Sequence, residues 1–357
     1  MAVARIIGTG IYAPGDPIDN AKLKRLTGIE FDAAKLEAKL GIAQRHVARL
    51  SGLDETTADF AEKAARAALA DAALDPMEVG MFVVATDTPE YISPATGILL
   101  QGRLQRGETE SRAFDLGASC ASFVAALDMA ARAVASDPSL RYALVVGVYN
   151  MPAYIRDGDA FGWSIFADGA GAVLLERYET APSTRNGASS HASSHASSHA
   201  SSHASGYVDG VFRADGTQWN YVGVYAGGTR KPVTKELLDA GAYGLELLQR
   251  LPGDRNVKLW PPLVRRLLEK AGVAQSEVAH YIFTQINRSV IAEVMGILGE
   301  PMEKTTTIMD RFGYTGSACV PMALHEALLA GTVHKGDFVV LVASGAGLAV
   351  GASLIRL

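Results

Sequence analysis

Two stretches of this chain repeat the same order of parts, and that repetition limits its fold more than any single motif does. In the first, the helical pattern Ala67-Ala68-Leu69-Ala70-Asp71-Ala72-Ala73 leads through Glu78-Val79-Gly80 to the strand-like Met81-Phe82-Val83-Val84-Ala85. In the second, Leu267-Leu268-Glu269-Lys270-Ala271-Gly272 leads through Glu277-Val278-Ala279 to His280-Tyr281-Ile282-Phe283-Thr284. Each then reaches a turn of small residues, Gly117-Ala118-Ser119-Cys120 or Thr315-Gly316-Ser317-Ala318-Cys319, that opens a second helical pattern. A further apolar run follows, Tyr142-Ala143-Leu144-Val145-Val146 or Phe338-Val339-Val340-Leu341-Val342. Runs that are apolar on both faces belong to sheets covered on both sides by helices, so the order predicts duplicated α/β halves with a site in the cleft between them.

The first small-residue turn carries a thiol. A strand predicted over 112–118 runs into a helix predicted over 121–133, which puts Cys120 at a helix N-terminus. Unpaired N–H groups and the helix dipole there favour the thiolate, a nucleophile; the other reading is a small buried residue, as most free cysteines are. Only Cys120 and Cys319 occur in the chain, which argues against a disulfide framework and against a cysteine-based zinc site. With 357 residues, 48% of them hydrophobic, the chain can bury a large core in more than one folding unit. Its net charge of −5 gives no basis for a nucleic-acid or anionic membrane partner. The start Met1-Ala2-Val3-Ala4-Arg5 shows no secretory pattern and no apolar run reads as bilayer-spanning, so a cytoplasmic location is expected.

Residues 187–206 repeat Ala-Ser-Ser-His and space His191, His195, His199 and His203 four apart. In a helix these imidazoles would share a face suited to zinc, copper or nickel. Serine and alanine bury too little apolar surface to offset ordering entropy, so the segment reads as a surface insertion, with no metal and no organic cofactor expected.

Four motifs in this order resemble the thiolase-fold condensing enzymes, specifically the β-ketoacyl-acyl-carrier-protein synthase III family. They are Gly41-Ile42-Ala43-Gln44-Arg45-His46, Phe114-Asp115-Leu116-Gly117-Ala118-Ser119-Cys120-Ala121-Ser122-Phe123, Phe166-Ala167-Asp168-Gly169-Ala170-Gly171-Ala172 and Ser344-Gly345-Ala346-Gly347-Leu348. The resemblance covers nearly the whole chain. It implies a five-layered αβαβα fold of two halves, 1–180 and 207–357, around the 181–206 insertion. It also implies a homodimer, or a heteromer with a homologous synthase, and Cys120 as the residue acylated from an acyl-CoA or acyl-carrier-protein thioester. The oxyanion hole would combine the N–H groups of Cys120 and Ala346, and Asn287 would grip pantetheine.

Departures from the family pattern bear on the second half-reaction. Decarboxylating members carry a histidine and an asparagine where this chain reads Phe283-Thr284-Gln285-Ile286-Asn287 and Gly313-Tyr314-Thr315, placing Thr284 and Tyr314 in the catalytic positions. Their hydroxyls donate hydrogen bonds but supply no imidazole. Of the other histidines, His325 is the one remote candidate to substitute; His46, His280 and His334 read as structural or surface residues. At the donor end Lys35 and Lys39 stand where the family often places a tryptophan and an arginine, leaving Lys39 to meet a phosphate or simply face solvent. Ser93, before Pro94, falls where a partner's loop floors the acyl tunnel, leaving room for a chain longer than acetyl, or else is an ordinary turn residue. Three functions follow: an acyltransferase to a nonstandard acceptor in specialised lipid or secondary metabolism, a decarboxylating synthase, or a mainly structural subunit.

Overall fold

The computed structural model describes residues 2–179 and 204–357, so the Ser-His repeat with its four histidines lies outside the described residues. In the first sheet four strands lie in the spatial order Ala2–Tyr12, Gly169–Glu179, Tyr142–Tyr149, Met81–Ala85. In the second sheet the order is Gly206–Gln218, Gly347–Arg356, Phe338–Gly345, Val278–Phe283. In both, the first two pairings are antiparallel and the third is parallel, the duplication that the repeated order of parts predicts. The first sheet adds Arg112–Leu116, parallel to Met81–Ala85, whereas the second sheet's matching edge is a single bridge between Tyr281 and Thr305.

Helices complete five layers. Thr57–Asp71 and Thr96–Gln105 cover the outer face of the first sheet, and Arg255–Ala271 covers the second, packing beside Arg288–Leu298. Ser122–Ser136 and Cys319–Leu329 lie between the sheets and touch both. This is the thiolase-like αβαβα arrangement. The stretch Ser119–Ser136 is, by length and composition, apolar enough to cross a membrane, contrary to the expectation for this chain. Half of it is buried, and the face it packs between the two sheets accounts for much of that composition.

Glycines set how closely the halves meet. Gly147 and Gly171 are register partners on adjacent strands of the first sheet. A Cβ on Gly147 would come 2.5 Å from the Ser317 carbonyl oxygen, and one on Gly171 would come 2.8 Å from the Met322 nitrogen. The second half's turn therefore presses directly onto the first half's backbone, and it carries Tyr314 inward with it.

Two of the motifs fasten this arrangement. Arg45 is fully buried and donates to Asn20 Oδ1 at 2.7 Å and to the Ser164 carbonyl at 2.8 Å, while burial lowers its pKa to about 10. Asp168 accepts from the Ala48 N–H at 2.8 Å, and burial raises its pKa to about 8. Both groups are structural anchors between the N-terminal segment and the centre of the fold.

Candidate active site

The strand Arg112–Leu116 gives way to a short 3-10 turn, Ser119–Ala121, and then to the helix Ser122–Ser136. Ser122 secures the junction: its hydroxyl accepts from the Ala118 N–H at 2.7 Å and donates to the Ser119 carbonyl at 2.6 Å. Cys120 thus sits at the predicted strand-to-helix turn, half-buried, with its thiol at the wall of a cavity of about 440 Å³. The loop Ser344-Gly345-Ala346 closes on the same point, because a Cβ on Gly345 would meet the Ala118 carbonyl oxygen at 2.4 Å and the Cys120 nitrogen at 2.9 Å. Only glycine lets that loop lie against the Cys120 backbone.

The cavity walls are mainly apolar, as expected of a site for an acyl chain. Cys120, Tyr314, Asn287 and Ala346 line it together, although they come from widely separated parts of the chain. Asn287 caps the helix Arg288–Leu298, its Oδ1 accepting from the Val290 N–H at 3.2 Å and from Ser289 Oγ at 2.8 Å. Thr284 is not among the lining residues: it is buried, and its Oγ1 accepts from the Ser344 N–H at 3.0 Å, so it supports the loop that the cavity uses. Lys39 and Ser93 are exposed and also lie off the cavity wall, though Leu40, next to Lys39, is part of it.

Among the described residues no histidine lines the cavity. His325 Nδ1 pairs with Thr9 Oγ1 at 2.8 Å, and His280 Nε2 with Thr306 Oγ1 at 2.8 Å, each serving the packing between elements. No group of three or more metal-ligating side chains occurs among the described residues.

The electrostatics differ from the expectation of a low thiol pKa. Burial, followed by the nearby charge of Asp87, pushes the Cys120 thiol up to about 12. Hydrogen bonding with Tyr314, Ser119 and the backbone acts the other way without prevailing. The helix N-terminus is present, but enclosure outweighs it. Tyr314 packs against Phe166, with ring centroids 5.7 Å apart, and against Tyr149, and burial raises its own pKa well above the usual range, so its hydroxyl stays protonated beside the sulfur.

Asp87, Ser119 and Arg255 on the cavity wall were not singled out by the sequence reading. The parallel register Ala85 against Leu116 brings Asp87 to the turn, for both strands end at the same level. Acidic residues just beyond the carboxyl ends of neighbouring parallel strands are the signal that points to it.

Comparison with known proteins agrees with this geometry. The family model for 3-oxoacyl-[acyl-carrier-protein (ACP)] synthase III matches residues 114–194, and that for the synthase III C terminal matches residues 268–357. The chain is similar to the β-ketoacyl-[acyl-carrier-protein] synthase III of Roseiflexus sp. (strain RS-1), 31% identical over 353 residues covering 99% of this chain and 98% of that protein. It is similar to acetoacetyl CoA synthase NphT7 of Streptomyces sp. (strain CL190), 30% identical over 99% of this chain and 98% of that one. The crystal structure of 3-oxoacyl-[acyl-carrier-protein] synthase III from Aquifex aeolicus VF5 superposes with a TM-score of 0.79 at 29% identity, over 99% of this chain and 100% of that one. Fold and relatives define an acyl-transferring condensing enzyme of the thiolase fold. Within that class the chain belongs to the β-ketoacyl-acyl-carrier-protein synthase III family.

Proposed function

We propose that this protein takes an acyl group from a CoA or acyl-carrier-protein thioester onto Cys120 and passes it to a hydroxyl or amine acceptor. The observation that carries the reading is a thiol at the wall of an apolar cavity that no histidine lines among the described residues. The N–H groups of Cys120 and Ala346 hold the thioester oxygen, Tyr314 faces the sulfur, and Asn287 meets the pantetheine arm. Lys39 lies at the outer approach, where a nucleotide or carrier phosphate would arrive. The two halves are divided by the 181–206 segment.

The test is intact mass after incubation with a panel of acyl-CoA and acyl-carrier-protein thioesters. An adduct localised to Cys120, absent from Cys120→Ala, is the expected result. An adduct that persists in Cys120→Ala sinks the nucleophile assignment. A second reading, carbon–carbon bond formation with a malonyl thioester, is favoured by the names of the relatives, one a β-ketoacyl synthase and one an acetoacetyl CoA synthase.

The same reading includes a twofold dimer. The strand Arg112–Leu116 is an unpaired sheet edge, and beside it Tyr91, Ile92 and Ile98 stand exposed, Ile92 at 87%. Edges and apolar side chains of this kind are ordinarily covered by another chain. A second copy covering them would bring its Ser93 loop toward the floor of the acyl cavity. Light scattering at micromolar concentration is expected to give twice the chain mass; a monomer removes the proposed floor.

A further inference from the structure

A thiol held near pKa 12 is almost entirely protonated at neutral pH, so a cysteine in these surroundings needs a proton acceptor before it attacks. We propose that Ser119 and Asp87 form a relay that removes the Cys120 proton as the acyl donor is attacked. The proposal rests on the reading of Cys120 as the acylated residue.

Ser119 Oγ donates to Asp87 Oδ2 at 2.9 Å and lies 3.9 Å from Cys120 Sγ. Having given its one proton to the carboxylate, the hydroxyl presents lone pairs toward the thiol. Ser119 holds this place at a φ of 52°, in the left-handed region that strains a non-glycine residue. Glycine would make the same turn without strain, so the hydroxyl is what a serine adds here.

Asp87 is fixed by its neighbours. The Thr88 N–H donates to Thr86 Oγ1 at 3.0 Å, the Asn150 N–H to Thr88 Oγ1 at 2.9 Å, and Thr57 Oγ1 to the Thr88 carbonyl at 2.7 Å. The carboxylate is exposed toward the cavity, and desolvation by the surrounding protein raises its pKa. The other titratable or charged groups around the pair are Tyr149, Tyr154 and Tyr314, Cys319 behind the turn, and Arg255 across the cavity. Burial keeps the three hydroxyls and the Cys319 thiol protonated.

In the step, the Cys120 proton passes to Ser119 Oγ as the Ser119 proton passes to Asp87. The sulfur electron pair forms the new C–S bond, and the tetrahedral oxyanion collapses to expel the donor thiolate, which takes the proton back from Asp87. The reactants, acyl thioester and Cys120 thiol, become acyl-Cys120 and donor thiol. The site carries one negative charge throughout, on Asp87, then on the oxyanion and the departing thiolate, then on Asp87 again, so no net charge is added to an apolar site.

The test follows alkylation of Cys120 by iodoacetamide against pH on the full chain, localised by peptide mass, with acylation by an accepted thioester measured alongside. In the wild type, reactivity is expected to rise as Asp87 ionises and then to level off well below the thiol pKa. Asp87→Asn should lower the rate at pH 7 by about 100-fold or more and climb tenfold per pH unit toward the ionisation of the thiol. Ser119→Ala should do the same, and the double variant should be no slower than either, as for groups acting as one unit.

An Asp87 that merely repels the thiolate predicts the opposite sign, since Asp87→Asn would then react faster. That result, or unchanged alkylation of Ser119→Ala, overturns the relay. Ser119→Gly, which suits the left-handed backbone, decides the matter if another variant fails to fold. A wild type that forms no acyl adduct with any donor sinks the acylation reading while the alkylation profiles still judge the relay.

Discussion

Malonyl thioesters are expected to lose carbon dioxide on this protein at least about 100-fold more slowly than on a decarboxylating family member, the scale of losing an electrostatic donor. Departure of carbon dioxide leaves an enolate whose oxygen needs donors placed in advance. Here the Thr284 hydroxyl is turned to the Ser344 N–H, off the cavity wall, and the Tyr314 hydroxyl interacts with the Cys120 sulfur. The measurement is labelled carbon dioxide release from malonyl-CoA and malonyl carrier protein, set against acyl transfer to hydroxyl and amine acceptors. Release at about one per second or faster, typical of enzyme turnover, favours the condensing reading. If release is slow, Thr284→His combined with Tyr314→Asn asks whether only the donors are missing. Removing the Tyr314 ring from between Phe166 and Tyr149 costs about 3 kcal/mol in packing, so the double variant is compared at a temperature below its own melting point.

Gly147→Ala is expected to destabilise the fold by about 3 kcal/mol, a severe effect for one added methyl group. The new Cβ meets a backbone carbonyl at 2.5 Å, with Pro321 Cγ at 3.0 Å and Phe123 Cδ2 at 3.2 Å. None of these is the free end of a flexible side chain, so relief requires shifting the helix Cys319–Leu329 or the sheet itself. Denaturant midpoint reads the loss. A change of less than about 0.5 kcal/mol, the range of an ordinary surface substitution, would show that the two halves are not locked together at this point. Because the same approach carries Tyr314 to Cys120, reduced alkylation or acylation of Cys120 should accompany the loss.

Much of this architecture was legible because apolar runs such as Val83-Val84-Ala85 and Val339-Val340-Leu341 are buried on both faces, which sequence alone reveals. The outer strands were harder. Ala2–Tyr12 and Gly206–Gln218 occupy equivalent edges, yet each is placed by antiparallel pairing with a strand more than a hundred residues away, and no local pattern encodes that. Motif order named Cys120 and Tyr314, and both line the cavity. It misjudged Thr284, whose position at the end of Val278–Phe283 was clear but whose side-chain direction depends on the loop opposite. Asp87 stands just past the strand Met81–Ala85, but what makes it chemically interesting is the parallel register that ends this strand level with Arg112–Leu116. The expected low thiol pKa failed for a related reason: a helix N-terminus is local, whereas enclosure is a property of the whole fold.

The small ribbon of Val222–Val224 against Leu245–Leu247 stands apart from both large sheets, yet Val222, Gly223, Val224 and Leu245 form cavity wall. Part of the wall that an acyl chain would meet is therefore separable from the frame that holds the thiol. Such a division of labour would make the protein evolvable: drift in the ribbon would reshape the cavity while Cys120, its turn and the paired glycines beneath stay where they are, so that a new specificity could arise by editing an appendage and leave the duplicated core untouched.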